Sequence, residues 1–272
     1  MSKIRDNFKK ISNIANTQSV KLLPGNIAFF LVLSLFPLLT LVGVIATRLG
    51  VNSEDLISII NTSLPSNVAA ILESYIVGTG LDTNVVIFMI IGFILASNGA
   101  HAIIISSNNL YGFPNSNYLM RRIKSVFIIL LLIVMFIFMF GFVAFGNYIV
   151  NYVVDNLKDV NIAKIVQTTF NILKWPVSIL IIFLNVKLIY MIAPDSKLPI
   201  KHTTKGAIFT TVFWILIVKL YSYWVTHFVN YDLFYGNLSN IAILMLLTYF
   251  ISYILVLGIA INVRSYEYKI ED

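Results

Sequence analysis

An all-α polytopic membrane protein, a bundle of six transmembrane helices with both termini cytoplasmic, is the fold class that composition, run length and charge placement predict. The 272 residues are 58% hydrophobic and 11% charged, against roughly 45–50% apolar and about 25% charged in a soluble domain. The apolar excess lies in six runs, about 22–49, 85–107, 124–147, 175–193, 206–229 and 238–262. Each is long enough to cross a hydrocarbon core of about 30 Å as a helix. Charge placement gives the orientation. The N-terminus (Lys3, Arg5, Lys9, Lys10, Lys21), the second–third connection (Arg121, Arg122, Lys124), the fourth–fifth (Lys197, Lys201, Lys205) and the C-terminus (Arg264, Lys269) hold most of the 19 basic residues. The other side holds Arg48, Lys158, Lys164 and Lys174. An excess of Lys and Arg marks the cytoplasmic side, so the expectation is N-in and C-in.

Taken in order, residues 1–21 form a basic cytoplasmic lead. The first run is too long for a removable signal peptide and lacks a small-residue cleavage site, so it stays as an anchor. Pro37 within it removes a backbone donor and predicts a kink. Between 51 and 84, Ser53, Glu54 and Asp55 make a helix start. Beyond Pro65, the residues Val68, Ile71, Leu72, Tyr75 and Ile76 mark one apolar helical face. This external amphipathic segment is too short and polar to span and belongs at the outer interface. Residues 157–173 read as a weaker version of it, and Pro176 is placed to open the fourth span. Tyr148, Tyr152, Trp175, Trp224, Tyr231 and Tyr235 lie near the outer boundary as an aromatic belt. No repeat or soluble domain is evident, and residues 1–272 read as a single membrane domain.

No Asp or Glu falls within the six runs. Two lysines do. Lys187 lies close enough to the cytoplasmic boundary for its ammonium to snorkel out along its own stem. Lys219 lies near mid-bilayer, where a charge costs on the order of 2.5–3.5 kcal/mol on insertion scales. With no acid to pair it, its options are an aqueous cavity, backbone carbonyls, a neutral amine or an anionic guest. In the second run Asn98, His101, Asn108 and Asn109 share a sector of roughly 100°. Ser97 adjoins it. That polar face reads either as hydrogen-bonding glue between helices or as the lining of a polar or headgroup pathway.

Much chemistry is excluded. The chain has no cysteine and three histidines, which removes thiolate metal sites, disulfides and thiol catalysis. His101, His202 and His227 belong to different segments without carboxylates at ligand spacing. No phosphate-binding loop, dinucleotide fingerprint, nucleophile elbow or zinc-protease motif occurs. A Ser34–Lys219 dyad is conceivable on residue type alone, with nothing in the sequence to pair the two. No cofactor or metal is expected, and the basic balance is accounted for by topology rather than by nucleic acid.

Several strings carry a resemblance. NIAFFLVLSLFP at 26–37, SNGAHAIIISSNNLYG at 97–112, YLMRRIK at 118–124, YMIAP at 190–194, FWILI at 213–217, NYDLFYGNLSNI at 230–241 and GIAIN at 258–262 resemble the YihY/virulence factor BrkB family over residues 22–263. The resemblance implies a six-helix cytoplasmic-membrane protein of bacterial type. Members of that family carry the labels serum-resistance factor and ribonuclease BN, and no residue pattern here supports the second. The chain departs from the family pattern at Ala260, where a Glu is frequent, and at Leu247, where Trp is usual.

These readings predict a non-enzymatic protein that moves or handles an anionic lipid or envelope precursor. Lys219 would attract the head group, with Asn98, His101, Asn108 and Asn109 solvating it. Arg121, Arg122, Lys124, Lys197, Lys201 and Lys205 would gather anionic lipid at about 1 kcal/mol per charge. A scaffold whose 51–84 segment binds an envelope protein is the reading from another class. Oligomeric state is left open.

Overall fold

The computed structural model describes residues 22–34, 83–139, 142, 146–157, 159–228 and 239–267, with isolated positions 54, 57, 58 and 61. All regular structure among the described residues is helical. The helices are α1 (Leu22–Ser34), α2 (Thr83–Tyr111), α3 (Tyr118–Met139), α4 (Gly146–Asp155), α5 (Val160–Ile192), α6 (Thr204–Phe228) and α7 (Ser239–Glu267), with a 3-10 turn at Ile200–Thr203 before α6. Four segments are long and apolar enough to cross a membrane: Ile90–Tyr111, Asn161–Ile192, Ile200–Trp224 and Ala242–Tyr266. Helix α3 follows the third predicted span, and α1 is a shorter apolar helix within the first. The Pro37 kink, most of the 51–84 segment, and Tyr231 and Tyr235 lie outside the described residues.

Two expectations are corrected. Pro176 does not open a helix; it lies inside α5, whose N-cap is Asp159. The Asp159 carboxylate accepts from the amides of Asn161 at 2.8 Å and Ile162 at 3.4 Å, satisfying donors that a helix start leaves open. Residues 160–173 are therefore the first turns of the fourth span and not a separate amphipathic segment. At about 50 Å, α5 exceeds a hydrocarbon core by several turns. Its extension carries α4, with Phe170 over Gly146 and Gln167 donating to Asn151 at 3.4 Å. Secondly, α3 begins at Tyr118, so Arg121, Arg122 and Lys124 stand in its opening turns rather than in a loop before it.

The core gathers Ile27 of α1, Ala96, Ala100, Ile103 and Ile104 of α2, Ile128 of α3, Ile189 of α5, and Val256 and Ile259 of α7. Small residues on α2 let its neighbours approach, and Phe30 of α1 packs over Gly99. In lipid this matters more than apolarity, because burying Leu against Leu gains little where the solvent is itself hydrocarbon.

Helices α6 and α7 are joined by a seam of donors. Thr210 lies 3.5 Å from the Ile254 carbonyl, Trp214 Nε1 donates to Ile251 at 2.9 Å, and Tyr221 donates to the Ile243 carbonyl. Rising numbers on α6 meet falling numbers on α7, so the pair is antiparallel. At its start, the backbone of Gly206 approaches Gly258 and donates to Asn262 Oδ1 at 2.7 Å. A Cβ on Gly206 would run into the Gly258 carbonyl. Tyr190 of α5 closes the seam by donating to the Leu255 carbonyl at 2.8 Å, with Thr210 Oγ1 at 2.6 Å.

Candidate functional site: a polar clasp and an outward lysine

The C-terminal end of α2, the N-terminal end of α3, the α5–α6 connection and the C-terminal end of α7 meet at one end of the bundle. Helix α2 stops there because Gly112 takes a positive φ of 68°, a conformation that costs glycine little. The Phe113 amide then turns back onto the Asn108 carbonyl at 2.9 Å, the closing bond of a Schellman cap. This termination aims 113–117 back across the bundle and leaves the Asn108 side chain, fully buried, directed at the α5–α6 connection.

There it meets Asp195. Asn108 Nδ2 donates to Asp195 Oδ2 at 2.7 Å, and Asn108 Oδ1 accepts from the Asp195 amide at 2.8 Å. The Ser116 amide donates to the same carboxylate oxygen at 2.8 Å. Lys124 Nζ closes the arrangement, 2.8 Å from Asp195 Oδ1 and 2.9 Å from the Pro194 carbonyl. Burial pushes the Asp195 carboxyl up, but the hydrogen bonds from Lys124, Ser116 and Asn108 outweigh it and hold the group down at about 2. Its side chain is only 6% exposed, so the carboxylate is a structural anion surrounded by donors.

The arginines extend the clasp along α2. Arg121 donates through Nε to His101 Nε2 at 3.3 Å and through Nη1 to the Ser116 carbonyl at 2.8 Å. Arg122 Nη1 donates to Asn98 Oδ1 at 2.8 Å. One turn deeper, the hydroxyls of Ser97 and Ser125 share a hydrogen bond at 3.0 Å. On the far side Tyr266 of α7 packs edge-on against Tyr111, Phe113 and His202. The His202 ring is 2.8 Å from the Ser265 carbonyl.

The structure thus brings together Asn98, His101, Asn108, Arg121, Arg122 and Lys124 of the residues singled out in the sequence. Asn109 is exposed and stands apart from them. Lys197, Lys201 and Lys205 are exposed around the same end. Lys219 lies elsewhere, exposed on α6 among the exposed Leu216, Val218 and Leu220. Lys187 is half-buried with its ammonium over the Phe183 ring at 5.7 Å. Ser34 is buried and donates to the Leu31 carbonyl at 2.9 Å, whereas Lys219 faces outward, so the two do not form a dyad.

Sequence reasoning missed Asp195. The available signal was a single carboxylate within the otherwise basic stretch 194–205, immediately after a span, where a neighbouring cation is expected to find it. Among the described residues no group of three His, Asp or Glu is placed to hold a metal ion.

The fold and the clasp define a polytopic α-helical membrane protein whose helix ends are locked by side-chain hydrogen bonds. The family model described as Virulence factor BrkB matches residues 12–272, and the chain belongs to that family. It is similar to the putative ribonuclease-like protein YfkH of Bacillus subtilis, at 28% identity over 90% of each chain. Shorter similarities reach UPF0761 membrane proteins. That of Aggregatibacter aphrophilus is 36% identical over 21% of each chain, and that of Haemophilus influenzae strain 86-028NP 35% identical over 22% of each. No solved structure matches the chain.

Proposed function

We propose that the chain is a non-enzymatic protein of the bacterial cytoplasmic membrane that moves or handles an anionic lipid or envelope precursor, with both termini on the cytoplasmic side. The observation that carries this reading is Lys219, a cation on an apolar, outward face of α6. A lysine so placed costs several kcal/mol against hydrocarbon unless an anion meets it. No acidic residue occurs in α6, and the Lys124–Asp195 ion pair belongs to the clasp. A phosphate-bearing lipid is the anion that every bilayer can supply.

In this reading the exposed Lys197, Lys201 and Lys205 raise the local concentration of anionic lipid at the cytoplasmic surface. His101 with Arg121, Asn98 with Arg122, and Asn108 and Lys124 with Asp195 hold the helix ends in register. The positive-inside asymmetry supports the orientation. The name ribonuclease-like belongs to the Bacillus relative; here the three histidines bond to Arg121, the Ser265 carbonyl and the Tyr223 carbonyl at separate places. That dispersal gives a hydrolytic centre no support.

The test is transbilayer movement of labelled anionic and zwitterionic lipids in proteoliposomes. Anionic-selective movement is expected, reduced about a hundredfold by Lys219→Leu, the size expected when about 3 kcal/mol of charge stabilisation is removed. Movement no faster than in empty vesicles, from folded and inserted protein, sinks the reading.

A further inference from the structure

We infer that the anionic lipid tracks the outside of the bundle along one stripe of α6, with Lys205 and Lys219 as two stations for its phosphate, and does not pass through the interior. This rests on the anionic-lipid reading above and assigns it a surface. At 100° per residue Lys205, Ile208, Val212, Leu216, Lys219 and Tyr223 fall within a sector of about 80°. All six are exposed. The seam residues Gly206, Thr210, Trp214 and Tyr221 lie on the opposite side of the helix and are committed to α7. The stripe is therefore the face that α6 turns away from its closest partner.

Its two lysines stand two heptads apart, about 21 Å along the axis. Lys205 is in the first turn of α6, at the clasp end, and Lys219 is just past the middle. Between them the exposed stripe is purely aliphatic: Ile208, Val212 and Leu216. This is a surface for acyl chains, with a cation near one boundary and another at depth. An amphipathic lipid satisfies both halves at once, its chains staying in the bilayer while its phosphate exchanges between ammonium groups.

Among the described residues the polar face of α2 is already engaged. Along α2, Asn98, His101 and Asn108 are occupied by Arg122, Arg121 and Asp195. A second copy of the chain is the other conceivable cover for the stripe. A symmetric contact there sets lysine against lysine, and α6 carries no acid to offset them. Charge thus favours a lipid phosphate over a copy.

The experiment places a photo-reactive benzoylphenylalanine at Val212 or Leu216, or at the exposed Ile90 of α2 as control, in the full chain. The protein is reconstituted in phosphatidylcholine vesicles with a minor fraction of phosphatidylglycerol, and captured lipids are weighed by mass spectrometry. Enrichment of phosphatidylglycerol over its bulk share is expected at Val212 and Leu216 and not at Ile90. Lys219→Leu should return capture at Leu216 to the bulk share, while Lys219→Arg retains the enrichment. The arginine variant and an unchanged melting temperature separate lost charge from lost folding. Bulk-share capture at all positions, enrichment indifferent to Lys219→Leu, or capture of a second protein chain at Leu216 each overturns the inference. Enrichment without transbilayer movement keeps the stripe as a lipid site and fails the transport reading. Movement without enrichment fails the stripe and leaves transport by another route.

Discussion

Asp195 is where single-residue chemistry is most consequential. Its carboxylate receives three donors from three separate segments, and its own amide donates back to Asn108 Oδ1. Removing it by Asp195→Ala strands the Lys124 ammonium, so a loss of about 3 kcal/mol is expected, visible as a lower melting temperature in detergent. Asp195→Asn keeps an acceptor and should cost less, which separates the ion pair from the hydrogen bonds. The pH dependence has a defined sign. The folded-state pKa is depressed to about 2, below the ordinary aspartate value near 3.9. The stabilisation is therefore complete above about pH 5 and is lost as pH falls through the folded pKa, amounting to about 2 kcal/mol. Melting temperatures of the parent should decline over that window, and those of Asp195→Ala should decline less. Sequence reading singled out Asn108 and Lys124 as lipid-binding candidates from polar spacing and basic clustering, yet missed this acceptor between them. An acid in a loop looks solvated until the loop is known to fold back onto Asn108.

At the scale of elements, the α6–α7 pair shows how a membrane helix hairpin is held without a hydrophobic gain. Three α6 side chains reach carbonyls of α7 that already serve their own helix, so each adds a second, weaker bond. Trp214→Phe should accordingly cost only about 0.6 kcal/mol, in line with interhelical hydrogen bonds elsewhere in membranes. Gly258→Ala is a different matter. Its methyl would meet both Thr210 Oγ1 and the Tyr190 hydroxyl, forcing α5 and α6 away from α7 together. A loss of about 2–3 kcal/mol is expected, and thermal unfolding of the two variants in the same detergent checks the order. An equal cost would mean that the seam, and not the close backbone approach, holds the hairpin. The long apolar helices α2, α6 and α7 were legible because run length is dictated by bilayer thickness. The start of α5 was not, because proline is tolerated inside a membrane helix as well as at its start, and Pro176 lies inside α5.

For the molecule as a whole, the charge count and the geometry bear on the same point from independent directions. The Lys/Arg asymmetry assigns the α2–α3 turn, the α5–α6 connection and the C-terminal segment to one side of the membrane. Their near ends do gather at one end of the bundle, tied by Asn108 to Asp195 and by His202 to Ser265. Hydrogen bonds between ends do not say which compartment they face; the proposed cytoplasmic assignment rests on the positive-inside rule. The absence of cysteine makes this measurable, since any thiol introduced is unique. Ser196 lies beside the clasp, and Asn156 precedes α5 at the opposite end of that helix. In intact cells a membrane-impermeant maleimide should label Asn156→Cys and spare Ser196→Cys, with both labelled after lysis. The reverse pattern would invert the molecule and place Lys197, Lys201 and Lys205 on the external face, away from the anionic cytoplasmic leaflet they are proposed to draw on. Labelling of both in intact cells would mean that α5 does not cross the bilayer, and the lipid-facing stripe on α6 would lose its frame. Protection of Ser196 alone therefore carries the geometry on which a phosphate route from Lys205 to Lys219 depends.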